Sequence, residues 1–167
     1  VPGVIFCLKQ KKHTEKENDN VSMPNLVVPT VAQKPDIVLQ LTKNDLHDGM
    51  KMTYLFDAKY RIGGKDKGTD VPPDDAINQM HRYRDAIYYK DYDSDQLKKE
   101  VIGGYILFPG AGEPHDVEKS KFYESIKEVN IGAFPLRPKD ERNRKFLEEF
   151  IEGIIKRKSS ETIAEVI

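Results

Sequence analysis

A chain of 167 residues with 38% apolar content can bury one core and reads as a single domain over residues 1–167. Its 27 basic and 28 acidic side chains leave a net charge of −1, which excludes a domain that coats nucleic acid by bulk charge alone. No stretch approaches the ~18 to 20 apolar residues that cross a bilayer, no signal-peptide pattern opens the chain, and the single Cys7 has no internal disulfide partner. The expectation is a cytoplasmic, membrane-free domain in a reducing compartment, and the Val-Pro-Gly start suggests a fragment of a longer chain.

Val4 to Lys9 reads as a strand, with Cys7 as a small buried residue within it. Lys9 to Asn20 is charged and apolar-poor and reads as an exposed loop, after which Asn25 to Thr30 is expected to pair back. Strands over 35–42 and 53–62 follow, separated by the turn formers Lys43 to Gly49, to give an antiparallel meander. Gly63 to Pro73 is expected to be a mobile loop. From 74 to 90 the period changes: Ala76, Met80, Tyr83 and Ile87 recur at helical spacing, and Asp74 and Asp75 suit the first turn. Val101 to Phe108 is an unbroken apolar run closed by Pro109-Gly110, as in a strand covered on both faces. Ile131 to Leu136 reads as a short edge strand, and a closing helix is predicted from about 140 to 158 with Phe146, Leu147, Phe150, Ile151 and Ile154 on its apolar side.

Asp57-Ala58-Lys59 is the only place where an acid stands two positions before a lysine, and it lies in the apolar run Tyr54 to Tyr60. Burying an unpaired carboxylate and ammonium there would cost several kcal/mol. Strand alternation puts Leu55, Asp57 and Lys59 on one face and Tyr54, Phe56, Ala58 and Tyr60 on the other, so acid and base leave the sheet together. A second acid, Asp36, follows Pro35 at the start of the preceding strand. Gln79 and Tyr83, four apart, share a face of the predicted helix. Each has a plainer reading: Asp36 as a strand-start residue, Asp57 and Lys59 as a cross-strand ion pair, Gln79 and Tyr83 as ordinary surface and core positions.

Taken in order, Pro35-Asp36, Asp57-Ala58-Lys59 and Gln79-x-x-x-Tyr83 resemble the PD-(D/E)XK, restriction-endonuclease-like nuclease superfamily, over roughly residues 34–108. Asp-Ala-Lys-Tyr-Arg followed by Gln-Met-His-Arg-Tyr-Arg-Asp-Ala is most similar to nuclease domains of McrBC-type, modification-dependent restriction systems. The resemblance implies an α/β (α+β) fold, a central mixed sheet flanked by helices, and a metal-dependent DNA endonuclease. The superfamily's first core helix has no counterpart ahead of Val4, so it is expected in an upstream region. Asp36, Asp57 and the Ala58 carbonyl would hold Mg²⁺, with Mn²⁺ as substitute. Lys59 and Gln79 would act on the attacking water or the phosphate, while Tyr83 and Arg61 would contact substrate. The implied partners are DNA, a separate GTP-driven motor subunit and, for a double cut, a second copy in a homodimer. The competing reading is a nuclease-fold module without catalysis that binds nucleic acid or serves assembly.

Other patterns fail chemically. Asp91 to Asp95 begins like a calcium loop, but Gln96 replaces its glycine and Ile102 its closing glutamate. Gly63-Gly64-Lys65 lacks the rest of a phosphate-binding loop, and the four histidines show no metal-ligand spacing. A solvated loop accounts for Lys65 and Lys67 as well as phosphate contact does.

Overall fold

The computed structural model describes residues 3–8 as backbone, and 25–45, 50–66, 68–112 and 114–166. Its centre is a five-stranded mixed sheet of β1 (Gly3–Leu8), β3 (Ile37–Lys43), β4 (Met50–Ala58), β9 (Val101–Phe108) and β10 (Ile131–Pro135), in the order β1-β3-β4-β9-β10. β1, β3 and β4 form the antiparallel meander, while β4, β9 and β10 run parallel. Parallel neighbours need a crossover, and α1 (Asp74–Ala86) supplies the one between β4 and β9. β10 is an edge strand, where Pro135 removes a donor that no neighbour in the sheet requires.

Period-two alternation divides the core into two layers. Leu55 and Ile106 pack under α1 with Ala76, Met80 and Tyr83. Tyr54, Phe56, Tyr105 and Phe134 face the opposite way, onto Leu147 and Ile154 of α4 (Glu141–Lys156). The helix approaches β9 closely because position 104 is glycine: a Cβ there would lie 3.3 Å from Met80. β9 is buried on both faces, as its unbroken apolar run requires.

Several elements differ from the sequence reading. β4 stops at Ala58, so Tyr60 lies beyond the sheet and is 97% exposed instead of continuing the apolar face. The stretch from 63 to 73 contains paired strands, β5 (Gly64–Asp66) and β6 (Thr69–Val71), where no strand was expected; Asp70 accepts from Ala111 N (2.8 Å) and Arg137 Nη2 (3.2 Å). β2 (Leu26–Val27) pairs with β7 (Tyr88–Asp91) rather than with β1. α1 ends at Ala86 because Tyr88 to Asp91 form that strand, and Asp95 at φ 53° turns the chain into β8 (Gln96–Lys98). α2 (Pro114–Glu118) and α3 (Lys121–Val129) occupy a stretch with no sequence assignment. The closing helix breaks at Arg157, and α5 (Ser159–Val166) follows. The 9–20 loop lies outside the described residues, as do the side chains of β1, Cys7 included.

Candidate active site

β3 and β4 carry the acids to one end of the sheet. Asp36 precedes β3, and its Oδ2 accepts from Ala58 N at 2.9 Å. Lys59 N donates to Leu107 O at 2.8 Å, so odd-numbered β4 residues hydrogen-bond toward β9 and even-numbered ones toward β3. Continuing the β3–β4 register from Ile37–Phe56 places Pro35 opposite Ala58. Proline has no N–H to offer the Ala58 carbonyl, so that oxygen has no ladder donor from position 35.

Asp57 points to the α1 side of the sheet and is 3% exposed. The Lys59 ammonium lies against its Oδ2 as an ion pair and is the partner of that buried oxygen. Burial pushes the Asp57 carboxyl above the ordinary aspartate value; Lys59 pulls it down, the negative charge of Asp36 pushes it up, and the Asp36 backbone N–H pulls it down.

Lys59 Nζ also donates to Gln79 Oε1 at 2.8 Å, and Gln79 Nε2 donates to the Tyr83 hydroxyl. That hydroxyl donates to Lys34 O at 3.3 Å, which links the α1 face to the segment leading into Asp36. Burial raises the Tyr83 pKa, and the charges of Asp57 and then Asp36 raise it further, so the phenol stays a donor at neutral pH. The chain Lys34–Tyr83–Gln79–Lys59–Asp57 fixes the Gln79 amide with its oxygen toward the ammonium.

The structure thus brings Asp36, Asp57, Ala58, Lys59, Gln79 and Tyr83 together. Tyr83 is 4% exposed with its hydroxyl engaged internally, so its reach is to Gln79. Arg61 instead forms an exposed two-pronged bridge to Asp75, with both contacts at 2.7 Å. Sequence reasoning took Asp75 only as a helix-start residue; no local spacing joins positions 14 apart across a loop.

A mixed sheet with two acids and a lysine converging at one end, backed by a helix, defines a restriction-endonuclease-like domain. A family model described as the PD-(D/E)XK nuclease superfamily matches residues 8–113, and the chain belongs to that superfamily. No match was found among curated proteins or among solved structures.

PD-(D/E)XK nucleases typically use divalent metal ions. Among the described residues, no group of three or more His, Cys, Asp or Glu side chains is gathered as a metal cluster. A Mg²⁺ site needs only one or two carboxylates, with water and substrate phosphate completing the octahedron. The donors present fit that requirement: Asp36, the buried Asp57 carboxylate, and the Ala58 carbonyl, which Pro35 leaves without a ladder donor.

Proposed function

We propose that this chain is the cutting domain of a Mg²⁺-dependent DNA endonuclease that hydrolyses phosphodiester bonds in a restriction or defence system of the McrBC type. The observation that carries the reading is the buried Asp57 carboxylate, paired with Lys59 and standing beside Asp36 and the Lys59–Gln79 pair. A fold maintained for packing alone would gain by replacing such a carboxylate with an apolar side chain.

When bound, a divalent cation supplies charge neutralisation on the phosphoryl oxygens and lowers the pKa of a water. Asp36, Asp57 and the Ala58 carbonyl would hold it. The Lys59 ammonium offsets negative charge developing on the phosphate as water attacks in line, and Gln79 keeps that ammonium aimed. Tyr83 acts through Gln79 by fixing the amide. Arg61 reaches a phosphate once it leaves Asp75. A GTP-driven motor on a separate chain and a second copy of the nuclease complete the assembly in this reading.

Plasmid cleavage by the protein with its motor partner tests the reading. Asp57→Asn and Lys59→Ala should each lower the rate by about 10²- to 10³-fold while DNA affinity in Ca²⁺ changes little. A chelator should abolish cutting. Undiminished cleavage by either variant places the nuclease site elsewhere and leaves this domain a binding or assembly module.

A further inference from the structure

Six large apolar side chains are conspicuously exposed among the described residues, and three of them, Val31, Tyr60 and Ile62, lie in the segments that enter Asp36 and leave Lys59. Tyr60, at 97%, is the most exposed and directly follows Lys59. A lone exposed tyrosine on a loose loop would call for no explanation. The backbone of the 59–63 segment, however, is held at both ends: Lys59 N donates to Leu107 O (2.8 Å), and Gly63 N donates to Val71 O (2.8 Å). The last contact is close enough that a Cβ on Gly63 would lie 2.4 Å from Pro72 O. Backbone hydrogen bonds at both ends limit the freedom of the segment, which lowers the entropy cost of presenting the ring.

We infer that Tyr60 is a base-stacking residue, and that the site takes DNA with an unstacked nucleotide beside the scissile phosphate. The inference rests on the nuclease reading, which puts that phosphate at Asp57 and Lys59. β4 ends at Ala58, so strand alternation does not bind Tyr60 to the far face, and one Cα step (~3.8 Å) from Lys59 its exposed ring stands at the site's end of the sheet. Within an intact duplex both faces of a base are covered by its neighbours. A tyrosine ring gains contact only with a base whose face is open, and such stacking accepts any base because each has a π-face. Substrate choice would therefore follow local opening of the strand rather than base identity at this position.

The test compares the wild-type chain, Tyr60→Ala and Tyr60→Phe on two oligonucleotide duplexes of the same sequence, one fully paired and one with a single unpaired nucleotide. Cleavage is followed in Mg²⁺. Binding is read in Ca²⁺ from the fluorescence of 2-aminopurine at the unpaired position, and thermal melting is the control for folding. Wild type and Tyr60→Phe should favour the unpaired substrate in KM and quench the probe. Tyr60→Ala should raise KM for that substrate roughly ten- to a hundredfold, lose the quench and melt like wild type. A Tyr60→Ala protein matching wild type in KM and quench overturns the stacking role and leaves the nuclease reading standing. Equal damage in Tyr60→Phe overturns it too, because the hydroxyl rather than the ring would then matter. A wild-type chain that, supplied with its motor partner, neither binds nor cuts either duplex overturns both readings.

Discussion

Asp57→Asn should make the metal-free protein more stable and leave it insensitive to divalent cations. The native carboxylate is 3% exposed, and burial outweighs its partners in holding its pKa above the ordinary value. Burying so polar a group costs about 1–3 kcal/mol, and asparagine removes the charge while keeping the shape. Against this stands the ion pair with Lys59, whose side chain is 23% exposed and retains Gln79 Oε1 as acceptor. A pair so open to water is worth about 0–1 kcal/mol. Desolvation wins by about 1 kcal/mol, or roughly 2–4 °C in Tm for a domain of this size. Burial raising the Asp57 pKa against the pull of Lys59 points the same way. Mg²⁺ at about a hundred times its Kd would add about 2.7 kcal/mol to the wild type, reversing the order. Melting curves in chelator and in Mg²⁺ or Mn²⁺ read both effects. A variant less stable than wild type in chelator, or one whose melting shifts with metal as the wild type's does, refutes the reasoning.

Asp75→Asn should free Arg61 from an exposed bridge of little stabilising value, tightening DNA binding several-fold and steepening its salt dependence by about one phosphate contact, measured by titration across ionic strength. Tyr83→Phe should lower kcat more than KM by releasing the Gln79 amide, at a cost of about 1 kcal/mol in thermal stability for the lost hydrogen bonds. Glu100 has a buried, unpartnered Oε2, and burial raises its pKa over the weaker downward pulls of Lys51 and Lys98. Its folded-state pKa lies above the unfolded one, so its contribution to stability is fully present below the unfolded value and is lost as pH rises through the folded value. Glu100→Gln should therefore raise Tm at neutral pH, leave it unchanged near pH 4, and flatten the slope between them in a pH series of melts.

What could be read from sequence was what depends on neighbouring residues. The full apolar run fixed Val101 to Phe108 as a doubly covered strand, and alternation put Asp57 and Lys59 on one face. What escaped depends on partners far along the chain. Gly63 to Pro73 carries the residues of a loop, and the β5–β6 pairing within it is anchored by Asp70 meeting Ala111, 41 positions on. The break between α4 and α5 follows from Lys43, which donates to Ile154 O at 2.9 Å and to Arg157 O, and from Asp45, which accepts from Ser159 N at 2.6 Å. Those contacts span 111 to 114 positions, beyond any periodicity. The site divides similarly: the residue types and their order were visible, whereas the Tyr83–Lys34 link and the diversion of Arg61 to Asp75 were not.

The antiparallel pairing of β3 with β4 also has a kinetic consequence. Asp36, Asp57 and Lys59 all belong to one hairpin, which can close within microseconds, whereas the parallel ladder to β9 must wait for the crossover through α1. The two acids therefore meet early in folding, before Gln79 arrives to hold Lys59. At that stage their repulsion is offset only by a Lys59 ammonium that Gln79 does not yet hold. A divalent cation in the refolding buffer would relieve the repulsion at the barrier itself, so metal should speed folding as well as slow unfolding.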